Sequence, residues 1–139
     1  QVVVASPAYL KAHGEPRVPE ELAAHPCLVY TLTPSGNVWR FTRGGEERRV
    51  AVTGNLRLNN GLLQRDAAER GAGIVMLPTF YVGPLIASGR LVPILTDWKA
   101  PELGIYAVYP QTPHVPPKVR AFVDFLAGHF GPKPAWDRF

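Results

Sequence analysis

Ala5-Ser6-Pro7-Ala8-Tyr9-Leu10 is the first of two stretches that decide the fold of this chain. The apolar residues before it predict a buried strand over residues 2–5, and its serine and proline predict the capped start of a helix. The second stretch begins at Leu58-Asn59-Asn60, where an asparagine caps a helix. It ends at Gly71-Ala72-Gly73-Ile74-Val75-Met76-Leu77-Pro78, where glycines turn the chain into another strand. Short strands that alternate with capped helices predict an open α/β domain whose ligand cleft faces the helix starts.

Six further strands are predicted from apolar runs and alternating patterns, and two of them flank Gly44-Gly45 as a β-hairpin. Pro93 cannot donate a backbone hydrogen bond, so the strand that contains it is predicted to lie at an edge of the sheet. The six strands cover residues 27–31, 38–42, 48–52, 56–58, 91–95 and 103–109.

Prolines and apolar spacing predict the remaining helices. A short helix starts at Pro19, where two carboxylates favour the positive end of the helix dipole. A helix over 78–88 is predicted to be interrupted at Pro84, which lacks the amide needed to continue it. The helix after the paired asparagines is expected to bury one apolar face, made of Leu63, Ala67 and Gly71.

The clearest amphipathic helix is predicted near the end of the chain, over residues 118–130. Its apolar stripe consists of Val119, Phe122, Val123, Leu126 and Phe130. A glycine followed by proline ends this helix, and residues 133–139 are predicted to form a frayed tail.

The composition is that of an ordinary globular domain. The 139 residues are 46% hydrophobic and 19% charged, which predicts one domain with a real core rather than a disordered tail. The longest apolar run is strand-sized, so no contact with a membrane is expected. The net charge of +4 comes from scattered basic residues, which argues against direct contact of this chain with DNA. The one cysteine, Cys27, lies in an apolar strand, which favours an inert buried thiol and a reducing compartment.

Taken in order, these motifs resemble the effector-binding region of LysR-type bacterial transcription regulators. The resemblance extends over residues 2–130, and it rests on the order and spacing of the pieces rather than on any one of them. The pieces are Ala5-Ser6-Pro7-Ala8-Tyr9-Leu10, Gly14-Glu15-Pro16, Pro19-Glu20-Glu21-Leu22, His25-Pro26-Cys27-Leu28, Trp39 with Phe41, Asn59-Asn60, Gly71-Ala72-Gly73-Ile74, Leu77-Pro78, Gly89-Arg90-Leu91-Val92 and Lys118-Val119-Arg120-Ala121-Phe122-Val123-Asp124-Phe125-Leu126.

The resemblance implies a type 2 periplasmic-binding-protein-like fold, in which two α/β lobes are joined by two crossing strands. Residues 2–101 would form the second lobe, 102–110 would be a crossing strand, and 111–139 would be a C-terminal helix and tail that belong to the first lobe. The N-terminal winged helix-turn-helix, the linker helix and most of the first lobe would then be missing. This chain would hold half of the effector pocket, and DNA would be bound only through the missing N-terminal domain.

The helix start Asn59-Asn60-Gly61 is the first candidate for ligand binding. Free amides and the helix dipole at such a start attract carboxylates, which suits an organic-acid effector. The alternative is structural, since one asparagine caps the helix. Both roles are compatible if one asparagine caps while its neighbour lines the cleft.

The loop Thr33-Pro34-Ser35 is the second candidate, because it follows a strand end, where open α/β sheets bind ligands. The resemblance implies that this loop faces the cleft between the lobes. The alternative is an ordinary turn, which residues of these types also favour.

No pattern in the sequence indicates an enzyme, a metal site or a cofactor. The four histidines lack the spacing of metal ligands, and no nucleophile elbow, phosphate loop or dinucleotide fingerprint occurs. The expected function is that of the small-molecule-sensing domain of a cytoplasmic LysR-type regulator, a homodimer or homotetramer whose effector is an aromatic or other organic acid. The alternative is an extracytoplasmic solute-binding protein that feeds a transporter.

Overall fold

The computed structural model describes residues 1–110, 115–131 and 134–137. It contains seven strands and four α-helices in these segments, with short 3-10 turns at Pro19–Ala24 and Ala135–Asp137. The strands are β1 (Val2–Ala5), β2 (Cys27–Tyr30), β3 (Val38–Arg43), β4 (Glu46–Ala51), β5 (Arg57–Leu58), β6 (Ile74–Leu77) and β7 (Val92–Ile94). The helices are α1 (Pro7–His13), α2 (Gly61–Glu69), α3 (Thr79–Ala87) and α4 (Pro117–Phe130).

Five strands form an open sheet in the order β5, β2, β6, β1, β7, and β3 pairs with β4 in a separate hairpin. Strand β2 runs parallel to both β5 and β6, whereas β1 runs antiparallel to β6 and β7. The predicted edge strand is confirmed, because β7 ends the sheet and Pro93 lies opposite Val4. The open α/β sheet expected from the sequence is therefore present.

Both faces of the sheet are covered by other elements. Successive side chains along a strand point to opposite sides, so one strand contributes to two cores. On one face, Val3 and Ala5 of β1 join a core that includes the hairpin residues Trp39 and Phe41. On the other face, Val4 joins a core formed with α2 and α3. The hairpin is thus fixed to the sheet by its two aromatic side chains.

Side-chain caps start α1 and α2 as the sequence predicts. The Ser6 hydroxyl oxygen accepts a hydrogen bond from the Tyr9 amide at 3.2 Å. The Asn60 carboxamide oxygen accepts from the amides of Leu62 at 2.9 Å and Leu63 at 3.2 Å. These bonds satisfy amides that lack a carbonyl partner within the helix.

The predicted apolar face of α2 is only partly confirmed. Ala67 packs partly buried against the core, but Leu63 is 54% exposed, and the residues that the helix buries are Gly61, Gln64 and Ala68. The Gln64 carboxamide nitrogen donates to the Leu28 carbonyl oxygen at 3.1 Å, so a polar side chain lies in the core. An apolar-face pattern cannot identify a contact that is made through a glutamine.

The predicted interruption at Pro84 is wrong, since α3 continues through this residue. A proline ring usually clashes with the preceding residue when that residue is helical, and the clash involves the Cβ atom. Here the preceding residue is Gly83, which has no Cβ. The exposed position of Pro84 allows the helix to continue with one backbone hydrogen bond lost.

The strand predicted over 103–109 does not form. A strand requires a neighbour for its amides and carbonyls, and no described residue pairs with this segment. Its apolar side chains are exposed, up to 93% for Val108.

The predicted frayed tail is partly corrected, because Ala135–Asp137 forms a turn. The Trp136 ring in this turn lies 6.2 Å from that of Phe80 and 5.5 Å from that of Phe130. Residues 111–114, 132–133 and 138–139, which belong to the predicted return to the first lobe, lie outside the described residues. Within the described segments, no helix is both long enough and apolar enough to span a bilayer.

Candidate functional site

A groove of about 710 Å³ lies beyond the carboxyl ends of the parallel strands β2 and β6. We call it the hairpin groove, because β3 and β4 supply one of its walls. Its volume lies within the range of small-molecule sites, and its position is the one at which open α/β sheets bind ligands. Tyr30 and Leu77, the last residues of these two strands, both line it.

The floor of the hairpin groove is apolar. It is formed by Leu28, Met76, Leu77, Pro78, Phe80 and Tyr81. Gly61 brings the start of α2 against this floor, since a Cβ atom there would lie 2.8 Å from Cε2 of Tyr81. The close approach of the helix to the Tyr81 ring therefore depends on glycine.

The predicted loop Thr33-Pro34-Ser35 lines the hairpin groove. The loop is also a turn, because the Thr33 carbonyl accepts from the Gly36 amide at 2.9 Å. Next to it, the Asn37 carboxamide nitrogen donates to the Val52 carbonyl at 2.8 Å and ties the loop to the end of the hairpin. A loop that forms a turn can therefore also line a groove, so the two interpretations of these residues from the sequence do not exclude each other.

The three predicted residues at the start of α2 have different positions in the structure. Asn60 is the cap of α2, and its carboxamide oxygen is committed to two backbone amides. Asn59 is exposed, and only Gly61 of the three residues lines the hairpin groove. A ligand contact by either asparagine remains a prediction.

Two arginines of the hairpin, Arg40 and Arg49, line the hairpin groove and were missed by the sequence analysis. They are direct cross-strand partners in the β3–β4 register. The Arg49 Nε atom donates to a Glu47 carboxylate oxygen at 2.6 Å. Arg40 forms no ion pair with any residue that the structure describes. The alternation of Trp39, Arg40 and Phe41 was the signal in the sequence that could have identified Arg40. It places the arginine on the face of β3 that points away from the two core aromatics.

Two buried acids lie outside the hairpin groove. Burial raises the pKa of the Cys27 thiol to about 12, and it also raises the pKa of the Tyr9 hydroxyl to about 12. The Tyr9 hydroxyl is 2.9 Å from Nδ1 of His25. Since a thiol of raised pKa is protonated at neutral pH, Cys27 is not an activated nucleophile. Across the described parts of the chain, no three His, Cys, Asp or Glu residues are grouped as a metal site.

Comparison with known families agrees with this geometry. The family model described as the LysR substrate binding domain matches residues 1–131. The chain belongs to this family. Domains of the LysR family have the type 2 periplasmic-binding-protein-like fold, so the expected fold class is confirmed.

Several relatives are transcription regulators. The chain is 39% identical over 134 residues to the HTH-type transcriptional regulator PtxR of Pseudomonas aeruginosa, covering 96% of this chain and 43% of the relative. It matches the full-length structure of the Vibrio cholerae virulence activator AphB with 34% identity and a TM-score of 0.78, covering 91% of this chain and 43% of that one. The regulatory domain of CrgA from Neisseria meningitidis matches with 33% identity and a TM-score of 0.73, over 94% of this chain and 64% of that one.

The chain therefore spans less than half the length of PtxR and of full-length AphB. Regulators with these names favour the transcription-regulator interpretation over the transporter alternative.

Proposed function

We propose that this LysR-family chain is the effector-sensing part of a transcription regulator and that a small molecule binds in the hairpin groove. The observation that carries the proposal is the position of the groove. Its lining brings together the ends of β2 and β6, the start of α2 and the loop Thr33-Pro34-Ser35. Segments that are far apart in the sequence thus converge on one small-molecule-sized cavity, in a domain whose family is named for substrate binding.

The hairpin groove is one half of the proposed site. Residues 2–101 are the second lobe, 102–110 cross to the first lobe, and the helix within 111–139 packs on it. Exposed apolar surface supports this division, because none of the described residues of α4 is buried and Phe125 is 65% exposed. Surface of this kind is expected where another lobe covers it in a longer protein.

The proposed regulator acts through parts outside this chain. An effector that binds differently to the open and closed arrangements of two lobes shifts their populations, and a helix-turn-helix domain converts the shift into altered binding of DNA. The names of the relatives, which are HTH-type regulators, support this arrangement. The proposed protein is cytoplasmic and acts as a homodimer or homotetramer, with an organic or aromatic acid as effector.

A reporter assay tests the proposal. The complete reading frame that contains this chain is expressed with its promoter fused to a reporter, and a panel of small acids is titrated. Ser35→Trp places a large ring in the hairpin groove and is expected to abolish the response. Asn55→Trp is the matched control, because Asn55 is exposed and does not line the groove. An unchanged dose-response for Ser35→Trp would exclude the hairpin groove as the effector site.

A further inference from the structure

We infer that the hairpin is an anion-recognising wall and that Arg40 and Arg49 bind a carboxylate group of the effector while its apolar part lies on the groove floor. The inference rests on the proposed function, and it adds the two residues of the hairpin that would recognise the acid group of the effector.

The charge of the lining is the first observation. The described residues that line the hairpin groove include two arginines and no aspartate or glutamate. The chain has 11 acidic residues, and none of them is among these lining residues, so the side-chain charge of the lining is positive even though Glu47 pairs with Arg49. A concave site lined by one sign of charge favours a ligand of the opposite sign.

The hairpin register is the second observation. Arg40 and Arg49 lie directly opposite each other in β3 and β4, and like charges at such positions destabilise a sheet. Glu47 compensates Arg49 alone, through the contact of 2.6 Å. A carboxylate bound between the two guanidinium groups would offset the remaining repulsion, so the arrangement favours binding of an anion.

The shape and polarity of the groove limit the class of ligand. Guanidinium groups match the planar carboxylate with paired hydrogen bonds. Thr33 and Ser35 also line the groove, and their hydroxyl groups are further potential donors. The floor beside them presents Met76, Phe80 and Tyr81, so the rest of the ligand is apolar. The α2 start contributes less than the sequence indicates, because Asn60 already occupies two of its amides.

A pair of probes that differ only in charge tests the inference. The 139-residue chain is titrated with 3-phenylpropanoate and, separately, with 3-phenylpropanamide, and backbone amide shifts are followed by NMR. The carboxylate is expected to shift the amide signals of residues 33, 35, 36, 40 and 49 and to bind about tenfold more tightly than the amide, as for one charge-assisted contact.

Variants separate charge recognition from general effects on the fold. Arg40→Gln with Arg49→Gln is expected to remove the preference for the carboxylate, while the melting temperature stays the same or rises because the repulsion is relieved. Arg40→Lys retains the charge and is expected to retain part of the preference. Arg57→Gln is the control, because Arg57 is exposed and lies outside the hairpin groove.

The outcomes distinguish this inference from the proposed function. Equal binding of the two probes in the groove, or a carboxylate preference that survives in the double glutamine variant, would overturn the anion wall and leave the groove as a small-molecule site. If neither probe shifts any groove signal at tens of millimolar, the anion wall is refuted, and the result also counts against the groove as an effector site.

Discussion

Replacement of Asn60 with alanine should destabilise the domain, whereas the same change at Asn59 should not. The Asn60 carboxamide oxygen accepts hydrogen bonds from the Leu62 and Leu63 amides, at 2.9 and 3.2 Å. Alanine leaves both amides to solvent, and the loss of such a cap costs about 1 kcal/mol. With an unfolding entropy of about 2.1 cal/mol/K per residue, a chain of this length loses about 3 °C in melting temperature.

Thermal and urea denaturation of the two variants measure this difference. Asn59→Ala is the matched control, since this neighbouring side chain is exposed and does not cap α2; its change should stay within about 0.5 kcal/mol. Equal losses of stability in the two variants would refute the assignment of the cap to Asn60. In the reporter assay, a weakened response of Asn59→Ala with normal stability would support the predicted ligand role of Asn59, and an unchanged response would count against it.

Three further predictions follow from buried groups and close contacts. Cys27 should resist thiol reagents at pH 8 until the chain is unfolded, because burial raises its pKa to about 12; rapid labelling of the folded chain would contradict this. Between pH 9 and 12 the folded chain keeps the Cys27 proton that the unfolded chain loses, so the free energy of unfolding should fall by up to about 1.4 kcal/mol per pH unit, and Cys27→Ala should reduce the slope. Gly61→Ala should cost about 1–3 kcal/mol, because its Cβ would meet the Tyr81 ring, whereas Gly128→Ala, in open space on α4, should be neutral or stabilising in the same melts.

Local signals predicted most of the fold. Ser6 and Asn60 start helices, Gly44-Gly45 joins a hairpin, and Pro93 marks the edge strand, because each of these residues acts on the backbone within a few positions. The predictions failed where a distant or unusual partner decides the outcome. The buried face of α2 depends on a bond from Gln64 to Leu28, which lies 36 positions earlier, and residues 103–109 form no strand without a neighbour to pair with.

The candidate site required more than local signals, because its walls come from separate parts of the chain. A strand end predicted the loop Thr33-Pro34-Ser35, which does line the hairpin groove. Of the three residues that the helix-start rule predicted, only Gly61 lines the groove. Arg40 and Arg49 were counted as scattered surface charge, since nothing in a list of residues shows that a hairpin register makes them neighbours. Once the register is known, the two arginines are seen to be neighbours that both line the groove. The inferred anion wall therefore rests on a cross-strand pairing that only the folded hairpin reveals, and the asparagines at the start of α2 remain a separate prediction.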